Sequence, residues 1–325
     1  MAILKYVLRR LLNLIPVLII ISMLLFGLSK LMPGDPVLMM MPQKGFKTAK
    51  AKQEMYETIQ KKYGFDKSIP EQYVNWVVRT VKGDLGESTK YRRPVTQLLG
   101  EPLVNTLILN IGVTILSFLI SLRIGIKSAV GRGSFYDKFW QVVSLVGISL
   151  PTFFFALILI YFFSFQLGWL PPGQMPRNIH DVGEWVLHLI LPTLTLLFGS
   201  LASTSRYVRN SMLDALGQDY IRTARAKGLS ERKVIYSHAF RNALIPVVTI
   251  VAWSITGLLG GAAITETVFS YNGIGRFLIA SVVARDYNVV MALNMMYAIL
   301  SVLGNLLMDI GYSLVDPRVR LEKEV

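Results

Sequence analysis

The sequence predicts an all-α membrane protein with six transmembrane helices. Of its 325 residues, 53% are hydrophobic and only 17% are charged, and the mean hydropathy is +0.48. A soluble domain would carry about a quarter charged residues. The apolar residues gather in blocks long enough to cross a bilayer as helix, which needs roughly 20 residues. Helices suit such blocks because every backbone polar group in lipid must be satisfied within its own segment.

The six predicted spans lie near 11–30, 102–126, 139–167, 186–205, 242–265 and 288–312. The basic residues ahead of the first span suggest a signal peptide. However, Leu11 to Leu28 is longer than a typical signal core, and no small-x-small cleavage site follows it. Pro33-Gly34-Asp35-Pro36 is a strong helix stop, so residues 1–30 are interpreted as an N-terminal end with a retained first helix. The third block is long enough to tilt or to run past the membrane.

Residues 31–101 are predicted to form a small helical insertion outside the cytoplasm, between the first two spans. Thr48 to Tyr63 is expected to form one helix that ends at Gly64, and Pro70 to Lys82 a second that ends at Gly83. Four apolar or aromatic residues share one face of the second helix at helical spacing: Tyr73, Trp76, Val77 and Val81. Packing within the insertion is favoured over a ligand-binding surface.

The remaining residues, 102–325, are predicted to form a five-helix core that includes a cytoplasmic loop at 206–241. The N-terminus, the C-terminal tail and the loops 127–138 and 206–241 together hold 17 Lys and Arg residues, whereas the opposing short loops hold three. Because positive charge favours the cytoplasmic side, both termini are predicted to be cytoplasmic. The net charge of +14 is interpreted as this topological signal and not as a nucleic-acid surface.

The sequence lacks the common motifs of nucleotide-binding, metal-binding and catalytic sites. It contains no cysteine, no G-x-x-x-x-G-K-[ST] phosphate loop, no H-E-x-x-H and no G-x-S-x-G, and its three histidines lie in or beside different loops. We therefore expect no catalytic residue, no metal site and no cofactor in this chain. Arg123 and Asp309 are ionisable residues within the predicted spans, Asp309 being the only clear carboxylate there, and both can reach the cytoplasmic interface. No charge lies near the midplane to couple ion flow, so the energy for transport is expected to come from another subunit.

Small and polar residues within or beside the spans have more than one possible role. Gly257 and Gly261 have the G-x-x-x-G spacing that lets helices approach closely, either within one subunit or against a second one. Gly273 and Gly275 suggest turns beside a re-entrant or interfacial helix. Polar positions that could form helix-to-helix hydrogen bonds or line a pathway are Asn105, Asn110, Asn294 and Asn305. The residues of a substrate pathway are not assigned.

The stretch 206–241 is polar and basic, yet its composition suits helices. The run from Asp219 to Lys227 is compatible with a helix that stops at Gly228, and Ser230 is a candidate N-cap for a second helix, Glu231 to Tyr236. A helix, a glycine break and another helix would make a rigid projection. Such a projection could transmit a push from a soluble partner, which a flexible loop could not do.

These residues resemble a known family, the transmembrane subunits of bacterial ABC importers. The Ala224-x-x-x-Gly228 core is similar to the EAA loop of that family, and the oligopeptide/dipeptide branch fits residues 219–229 best. Arg222 stands where the general pattern has Glu, and Arg241 where it has proline, as is typical of the peptide branch. Further matching motifs follow in order along nearly the whole chain: Arg9-Arg10-Leu11, Tyr63-Gly64-Phe65-Asp66, Gly83-Asp84-Leu85-Gly86, Asn105-Thr106-Leu107, Glu266-x-Val268-Phe269, Gly273-Ile274-Gly275 and Asp316-Pro317-Arg318.

The resemblance implies a type I ABC importer permease fold and a multi-subunit assembly in a bacterial inner membrane. This chain would pair with a second, similar permease above two ATPase subunits, which bind the ATP and Mg²⁺, and an external binding protein would deliver peptide. The expected contact with an ATPase comprises Arg222, Thr223, Ala224, Arg225, Ala226, Lys227, Gly228, Leu229 and Ser230. Similar importers move nickel, metal chelates, haem or oligosaccharides. Other classes that stay open are a channel or secondary carrier without ATPases, and a sensor of external peptide.

Overall fold

The computed structural model describes residues 2–31, 34–42, 48–243, 257–258, 260 and 262–315, the side chains of 2–11 and 307–315 excepted. Within these ranges the chain is largely helical and has no β-strand, only an isolated bridge between Glu87 and Pro94. The helices are α1 (Ala2–Leu31), α2 (Pro36–Met40), α3 (Ala49–Tyr63), α4 (Ile69–Val81), α5 (Val95–Val130), α6 (Phe135–Ser149), α7 (Thr152–Leu159), α8 (Val182–Leu216), α9 (Asp219–Ala226), α10 (Glu231–Lys233), α11 (Ala263–Val268), α12 (Ile274–Val283) and α13 (Tyr287–Val315).

Four of the described helices are long and apolar enough to cross a membrane, which confirms a membrane protein with several spans. They are Leu12–Leu31 within α1, all of α5, all of α8, and Tyr287–Leu306 within α13. These correspond to the first, second, fourth and sixth predicted spans. The fifth predicted span, 242–265, lies mostly outside the described residues.

The third predicted span, 139–167, is not one continuous helix: two helical segments together are long and apolar enough to cross a membrane, and they form either a broken span or a re-entrant loop. The chain bends by 105° between α6 and the helical segment Thr152–Gln166, which ends in a π-helical turn, Ile160–Gln166. The break lies at Leu150 and Pro151, where Leu150 has φ −74° and ψ 126°. A residue before proline is pushed out of the helical region, and proline has no N–H to continue the ladder. Pro151 was the available sequence signal for this bend.

Two other helices extend beyond their predicted ends. The helix α5 begins at Val95 and not at residue 102, so that Pro102 lies inside it. The helix α8 continues to Leu216, which makes residues 206–216 part of the spanning helix and not a separate loop. The hydropathy pattern stops where the charged residues begin, but the backbone hydrogen bonds of a helix do not depend on that boundary.

The structure divides into two compact units, and the first comprises Met1–Pro102 with Phe277–Val302. Its helices α3 and α4 agree with the prediction: Thr48 caps the first, and Gly64 ends it with φ +71°. In α4, Tyr73 and Trp76 pack on Phe26 of α1, with ring centroids 5.5 and 5.9 Å apart. Val81 was expected on the same face but is 82% exposed, because it is the last residue of the helix.

A buried carboxylate fixes the start of the last long helix in this unit. Asp286 is fully buried, and it accepts hydrogen bonds from the Ser88 hydroxyl and from the backbone N–H groups of Thr89 and Lys90. Its own carbonyl accepts the N–H of Val290 in the first turn of α13. The turn 87–94 and the beginning of α13 are therefore held together by one side chain.

The second unit comprises Leu103–Arg276 with Leu303–Val325, and glycines bring its long helices close together. A Cβ atom added to Gly125 of α5 would lie 2.7 Å from Cβ of Val208 in α8. A Cβ atom added to Gly147 of α6 would lie 2.8 Å from Cβ of Ala202, also in α8. The helix α8 is thus the common packing partner of α5 and α6, and it continues directly into the predicted functional stretch.

Candidate functional site

The stretch 206–241 forms a helical projection on a buried apolar base. It consists of the end of α8, the short helices α9 and α10, and a π-helical turn, Val234–Ala239. Its buried residues pack with the end of α5 in one hydrophobic cluster, which contains Ile126, Ala129, Val208, Met212, Ala215, Ile221, Ala224, Val234 and Ala239. A packed base of this kind holds the short helices in place, since helices of this length are not stable alone.

Helix α9 presents one face to this base and the other to the surface. Ile221 and Ala224 are buried at a spacing of three residues, whereas the residues between and after them are exposed. Of the nine predicted contact residues, Ala224 lies in the base and Leu229 is half-buried. The other seven are exposed: Arg222, Thr223, Arg225, Ala226, Lys227, Gly228 and Ser230.

A glycine turn ends α9 and forms the tip of the projection. Gly228 has φ +75°, its N–H donates to the Arg225 carbonyl at 2.9 Å, and the Leu229 N–H donates to the Ala224 carbonyl at 3.4 Å. These two bonds form a Schellman motif, and Leu229 packs against the apolar base as such motifs favour. No atom lies within 4 Å of a Cβ placed at Gly228. Glycine is therefore needed there for its conformation and not for space.

An ion pair closes the turn from outside. The Arg225 guanidinium donates from Nε to Oε1 of Glu231 at 2.7 Å and from Nη2 to Oε2 at 3.3 Å. This hydrogen bond lowers the pKa of Glu231 from its ordinary 4.5. The contribution of the pair to stability is therefore complete above the ordinary pKa of 4.5. It is lost as pH falls through the lower pKa that Glu231 has in the folded protein. Because both side chains are exposed, the pair adds little free energy but fixes one geometry of the turn.

Ser230 occupies the predicted N-cap position of α10, but its hydroxyl makes no capping hydrogen bond. Its carbonyl accepts the N–H groups of Lys233 and Val234 at 2.8 and 3.0 Å. The second short helix runs on through the π-helical turn, and not through an α-helix to Tyr236 as predicted. Turns of this type are frequent at functional sites.

The exposed surface of the projection is basic. Arg222 lies 3.6 Å from Asp219 in an exposed pair, and Arg225 is occupied by Glu231. Arg232 and Lys233 are also exposed, next to the predicted contact residues, and were not among them. Such a surface favours an acidic protein partner.

A buried ion pair, which sequence reasoning missed, anchors the root of the projection. The carboxylate of Asp137 in α6 accepts from Nε of Arg209 at 2.5 Å and from Nη2 at 2.8 Å, and also from the Gly133 N–H at 2.9 Å. Asp137 is buried and Arg209 nearly so. The two residues are far apart in sequence, and no pattern pairs them.

A second buried carboxylate, Glu266 of α11, lies elsewhere in the same unit. It accepts hydrogen bonds from the Thr106 hydroxyl at 2.9 Å, the Ala262 N–H at 3.2 Å and the Arg276 N–H at 2.9 Å. A Cβ atom at Gly273 would lie 2.4 Å from this carboxyl group. Gly273 lies in the link between α11 and α12, as predicted for a turn, and its lack of a side chain also leaves room for Glu266.

The other residues singled out in the spans have different surroundings. Asn105 donates to the Asn272 carbonyl at 2.9 Å and Asn110 to the Leu258 carbonyl at 2.7 Å, which confirms hydrogen bonds between segments for these two. Asn294 instead donates to Val290 within its own helix, and Asn305 is exposed. Arg123 is exposed. Gly261 and the side chain of Asp309 lie outside the described residues.

Two family models match this chain. The model described as "Binding-protein-dependent transport system inner membrane component" matches residues 121–321, and the one described as "Binding-prot-dependent transport system membrane comp, N-term" matches residues 3–110. Together they cover the projection, the root that carries it and the described spans, apart from residues 111–120 of α5.

Several known proteins are similar to the chain over nearly its full length. It is 40% identical to the oligopeptide transport system permease protein AppB of Bacillus subtilis, over 97% of this chain and 98% of that protein. It is 37% identical to the di/tripeptide transport system permease protein DppB of Pseudomonas aeruginosa, over 98% and 100%. It is also 37% identical to the glutathione transport system permease protein GsiC of Salmonella typhimurium, over 98% and 99%. A solved chain of the methionine ABC transporter MetNI, with TM-score 0.49 and 17% identity over 66% of this chain and 97% of its own, is too distant to transfer detail.

Proposed function

The chain belongs to the family of binding-protein-dependent transport system inner membrane components, and we propose that it forms half of the membrane pathway of an ATP-driven peptide importer. The observation that carries this proposal is similarity along the whole chain to permeases named for oligopeptides, for di- and tripeptides and for glutathione, itself a tripeptide. Since the three names share a peptide substrate, we assign the same class to this chain. Importers of nickel, metal chelates, haem or oligosaccharides are the competing assignments.

The proposed assembly contains a second, similar permease, two ATPase subunits and a binding protein outside the membrane. Hydrolysis of ATP, with its Mg²⁺, takes place in the ATPase subunits, and this chain acts as a transport subunit. The family description, which names a component of a binding-protein-dependent system, supports partners of this kind.

In this proposal, the projection at 206–241 contacts an ATPase through residues 222–230. Its exposed tip offers basic groups, and its base is packed into the unit that contains α5, α6 and α8. The glycine turn, the ion pair of Arg225 and the apolar base hold the short helices in a single arrangement. A displacement of the tip is therefore transmitted to α8. ATP-driven closure of the partner subunits would then shift the pathway between two states that already exist in equilibrium.

We further propose six spans of the type I importer fold, with both termini in the cytoplasm and residues 31–101 outside it. The distribution of Lys and Arg, 17 against three in the short loops, supports this orientation. The projection lies on the side that this distribution assigns to the cytoplasm, where the ATPase subunits would be.

The assignment of the tip is tested by replacing Gly228. We expect Gly228→Glu to abolish peptide uptake while the amount of protein in the membrane stays normal. A side chain at φ +75° costs roughly 1–2 kcal/mol and would reshape the turn. The negative charge of Glu would also reduce the positive charge of the basic surface. Uptake of a labelled tripeptide, with membrane protein measured by immunoblot, reports both quantities.

Two further variants separate the causes of this loss. Gly217, at the end of α8, is exposed and has φ −78°, so Gly217→Glu introduces the same charge without backbone strain and is expected to keep uptake. Asn tolerates the left-handed conformation, so Gly228→Asn is expected to retain more uptake than Gly228→Glu. Normal uptake in Gly228→Glu, at normal membrane amounts, contradicts the assignment of residues 222–230.

The function itself is tested by purifying the tagged chain from native membranes in mild detergent. We expect a related multi-span protein and P-loop ATPases to co-purify with it, and an attached binding protein whose ligands can be identified. Recovery of a stable homo-oligomer without ATPases would instead indicate a channel or secondary carrier. Failure of labelled peptide to enter cells despite an intact complex would indicate a sensor or another solute.

A further inference from the structure

A cavity with both polar and apolar lining residues lies beside the root of the projection, between α5, α6 and α8. Its volume is about 320 Å³, and the residues that matter here are Ser128, Trp140, Gln141, Ser144, Arg206 and Arg209. Among the described residues that line it, two are arginines and none is an aspartate or glutamate. The cavity is therefore a positively charged site within one compact unit.

The two arginines are not equivalent. The charge of Arg209 is matched by the buried carboxylate of Asp137, which it contacts through two nitrogen atoms. Arg206 lies one helical turn earlier on the same face of α8, and in the described part of the chain no carboxylate pairs with it. One guanidinium at the cavity is thus available for an anion.

A buried hydroxyl group at the cavity also has no partner. Ser128 is only 2% exposed, and its Oγ has no hydrogen-bond partner among the described residues. Ser205 lines the same cavity, but its hydroxyl donates to the Leu201 carbonyl of its own helix at 2.6 Å. An unpaired buried hydroxyl destabilises the protein, so a ligand oxygen that accepted a hydrogen bond from Ser128 would remove that cost.

The cavity lies where three predicted spans end on the same side. Ser128 follows the span 102–126, Trp140 lies at the beginning of 139–167, and Arg206 follows 186–205. By the distribution of Lys and Arg this side is cytoplasmic, which places the cavity at the membrane–water interface, where Trp is enriched. Basic pockets between spanning helices on this side bind the head groups of anionic lipids.

We propose that this cavity binds a phosphate group, supplied in the membrane by the head group of an anionic phospholipid. The Arg206 guanidinium donates to the phosphate oxygens, a geometry that suits its planar fork, and the Ser128 hydroxyl donates to the same group. Val142 and Leu145 line the cavity and are largely exposed, so they offer apolar contact for the acyl chains. A bound lipid would join α5, α6 and α8 at the root of the projection.

The proposal is tested on the purified full-length chain in detergent by native mass spectrometry with added lipid. We expect phosphatidylglycerol to bind more tightly than zwitterionic phosphatidylethanolamine. We expect Arg206→Gln to weaken phosphatidylglycerol binding by about tenfold or more, as the loss of one charge-assisted hydrogen bond implies. Arg132→Gln is the matched control, since Arg132 is exposed in the neighbouring turn and does not line the cavity.

A second variant and a second ligand make the outcome decisive. Ser144→Leu fills the cavity without a change of charge and is also expected to reduce phosphatidylglycerol binding. Equal lipid binding in Arg206→Gln and Arg132→Gln, or no preference for phosphatidylglycerol, overturns the proposal. Binding of inorganic phosphate with no binding of lipid would assign the site to a free anion. If Arg206→Gln instead releases a co-purifying permease and leaves lipid binding unchanged, the cavity is a subunit interface and the lipid assignment is wrong.

Discussion

At the scale of single residues, Glu266 is a buried carboxylate that depends on a complete set of hydrogen-bond donors. Its carboxylate is 1% exposed and accepts three hydrogen bonds, one from a threonine hydroxyl and two from backbone N–H groups. A carboxamide in its place would direct an NH₂ group toward at least one of these donors. We expect Glu266→Gln to lower stability by about 1–3 kcal/mol, the cost of a buried donor left without an acceptor. Thermal unfolding of the purified protein in detergent measures the change.

The control for this prediction is Glu54→Gln, because Glu54 is exposed on α3. We expect no change in unfolding temperature for that variant. An unchanged unfolding temperature for Glu266→Gln would mean that the three donors find other acceptors, and it would contradict a stabilising role for the Glu266 carboxylate.

The burial of Glu266 could not be predicted from the sequence. The motif Glu266-x-Val268-Phe269 marks a position of interest, but a charged residue in a segment between spans is expected to be solvated. Only the fold brings Thr106 of α5 to the same place. The left-handed turn at Gly228, by contrast, was predictable, because its signal is local: a helix-compatible run followed by a glycine.

At the scale of helices, the Asp137–Arg209 pair is the main polar link between α6 and α8. Removal of one partner leaves the other charge largely buried without compensation, which costs on the order of 3–5 kcal/mol. We therefore expect Asp137→Asn to lower the unfolding temperature strongly. Replacement of both residues, as in Asp137→Asn with Arg209→Gln, is expected to recover a large part of the loss, since no charge is then left buried.

The matched comparison is the exposed Arg225–Glu231 pair, whose disruption by Glu231→Gln is expected to change the unfolding temperature little. If Asp137→Asn proved as mild as Glu231→Gln, the pair would not be the anchor of the projection. A double variant less stable than Asp137→Asn alone would have the same meaning.

The helices also show where hydropathy succeeds and where it fails as a guide. The short helices α3 and α4 have clear start and stop residues, such as Thr48 and Gly64, and their ends agree with the prediction to about one residue. The block at 139–167 is apolar on both sides of Pro151, so hydropathy alone could not detect the bend. A local steric rule was needed to locate it, and that rule does not give the direction of the bend.

At the scale of the whole molecule, the number and orientation of the spans decide where each site faces. An even number of spans places both termini on one side, whereas an odd number places them on opposite sides. The natural chain has no cysteine, so any introduced cysteine is the only thiol in the protein. We expect Lys67→Cys, in segment 31–101, to react with a membrane-impermeant maleimide in intact cells.

Ser237→Cys, in the projection, is the counterpart of that variant, since both positions are exposed. We expect it to react only after the membrane is permeabilised, because the distribution of Lys and Arg assigns residues 206–241 to the cytoplasm. Labelling of Ser237→Cys alone in intact cells would reverse the predicted orientation. Labelling of both cysteines in intact cells would mean that the membrane does not separate the two positions. Either result would also remove the cavity at Arg206 from the cytoplasmic interface.

Global properties of this kind are the part of the fold that composition predicts well. The apolar blocks and the side preference of Lys and Arg need no knowledge of packing, so membrane insertion and helical architecture followed from the sequence directly. Contacts such as Asn105 with Asn272, or Gly125 with Val208, join residues that are distant in the chain. Such pairs depend on which helices become neighbours, and a single sequence does not specify that.

Helix α9 has separate buried and exposed positions, and this separation affects how the sequence of such a transporter can evolve. The residues that hold the projection in place, Ile221 and Ala224, point to the base, while Arg222, Thr223 and Lys227 contribute nothing to that packing. Substitutions at the exposed positions can therefore accumulate without a penalty in folding, as is common for surface residues. In the proposed assembly, a gene duplicate could in this way acquire a different partner subunit through substitutions at a few exposed side chains, while the packing of the spanning helices stayed the same.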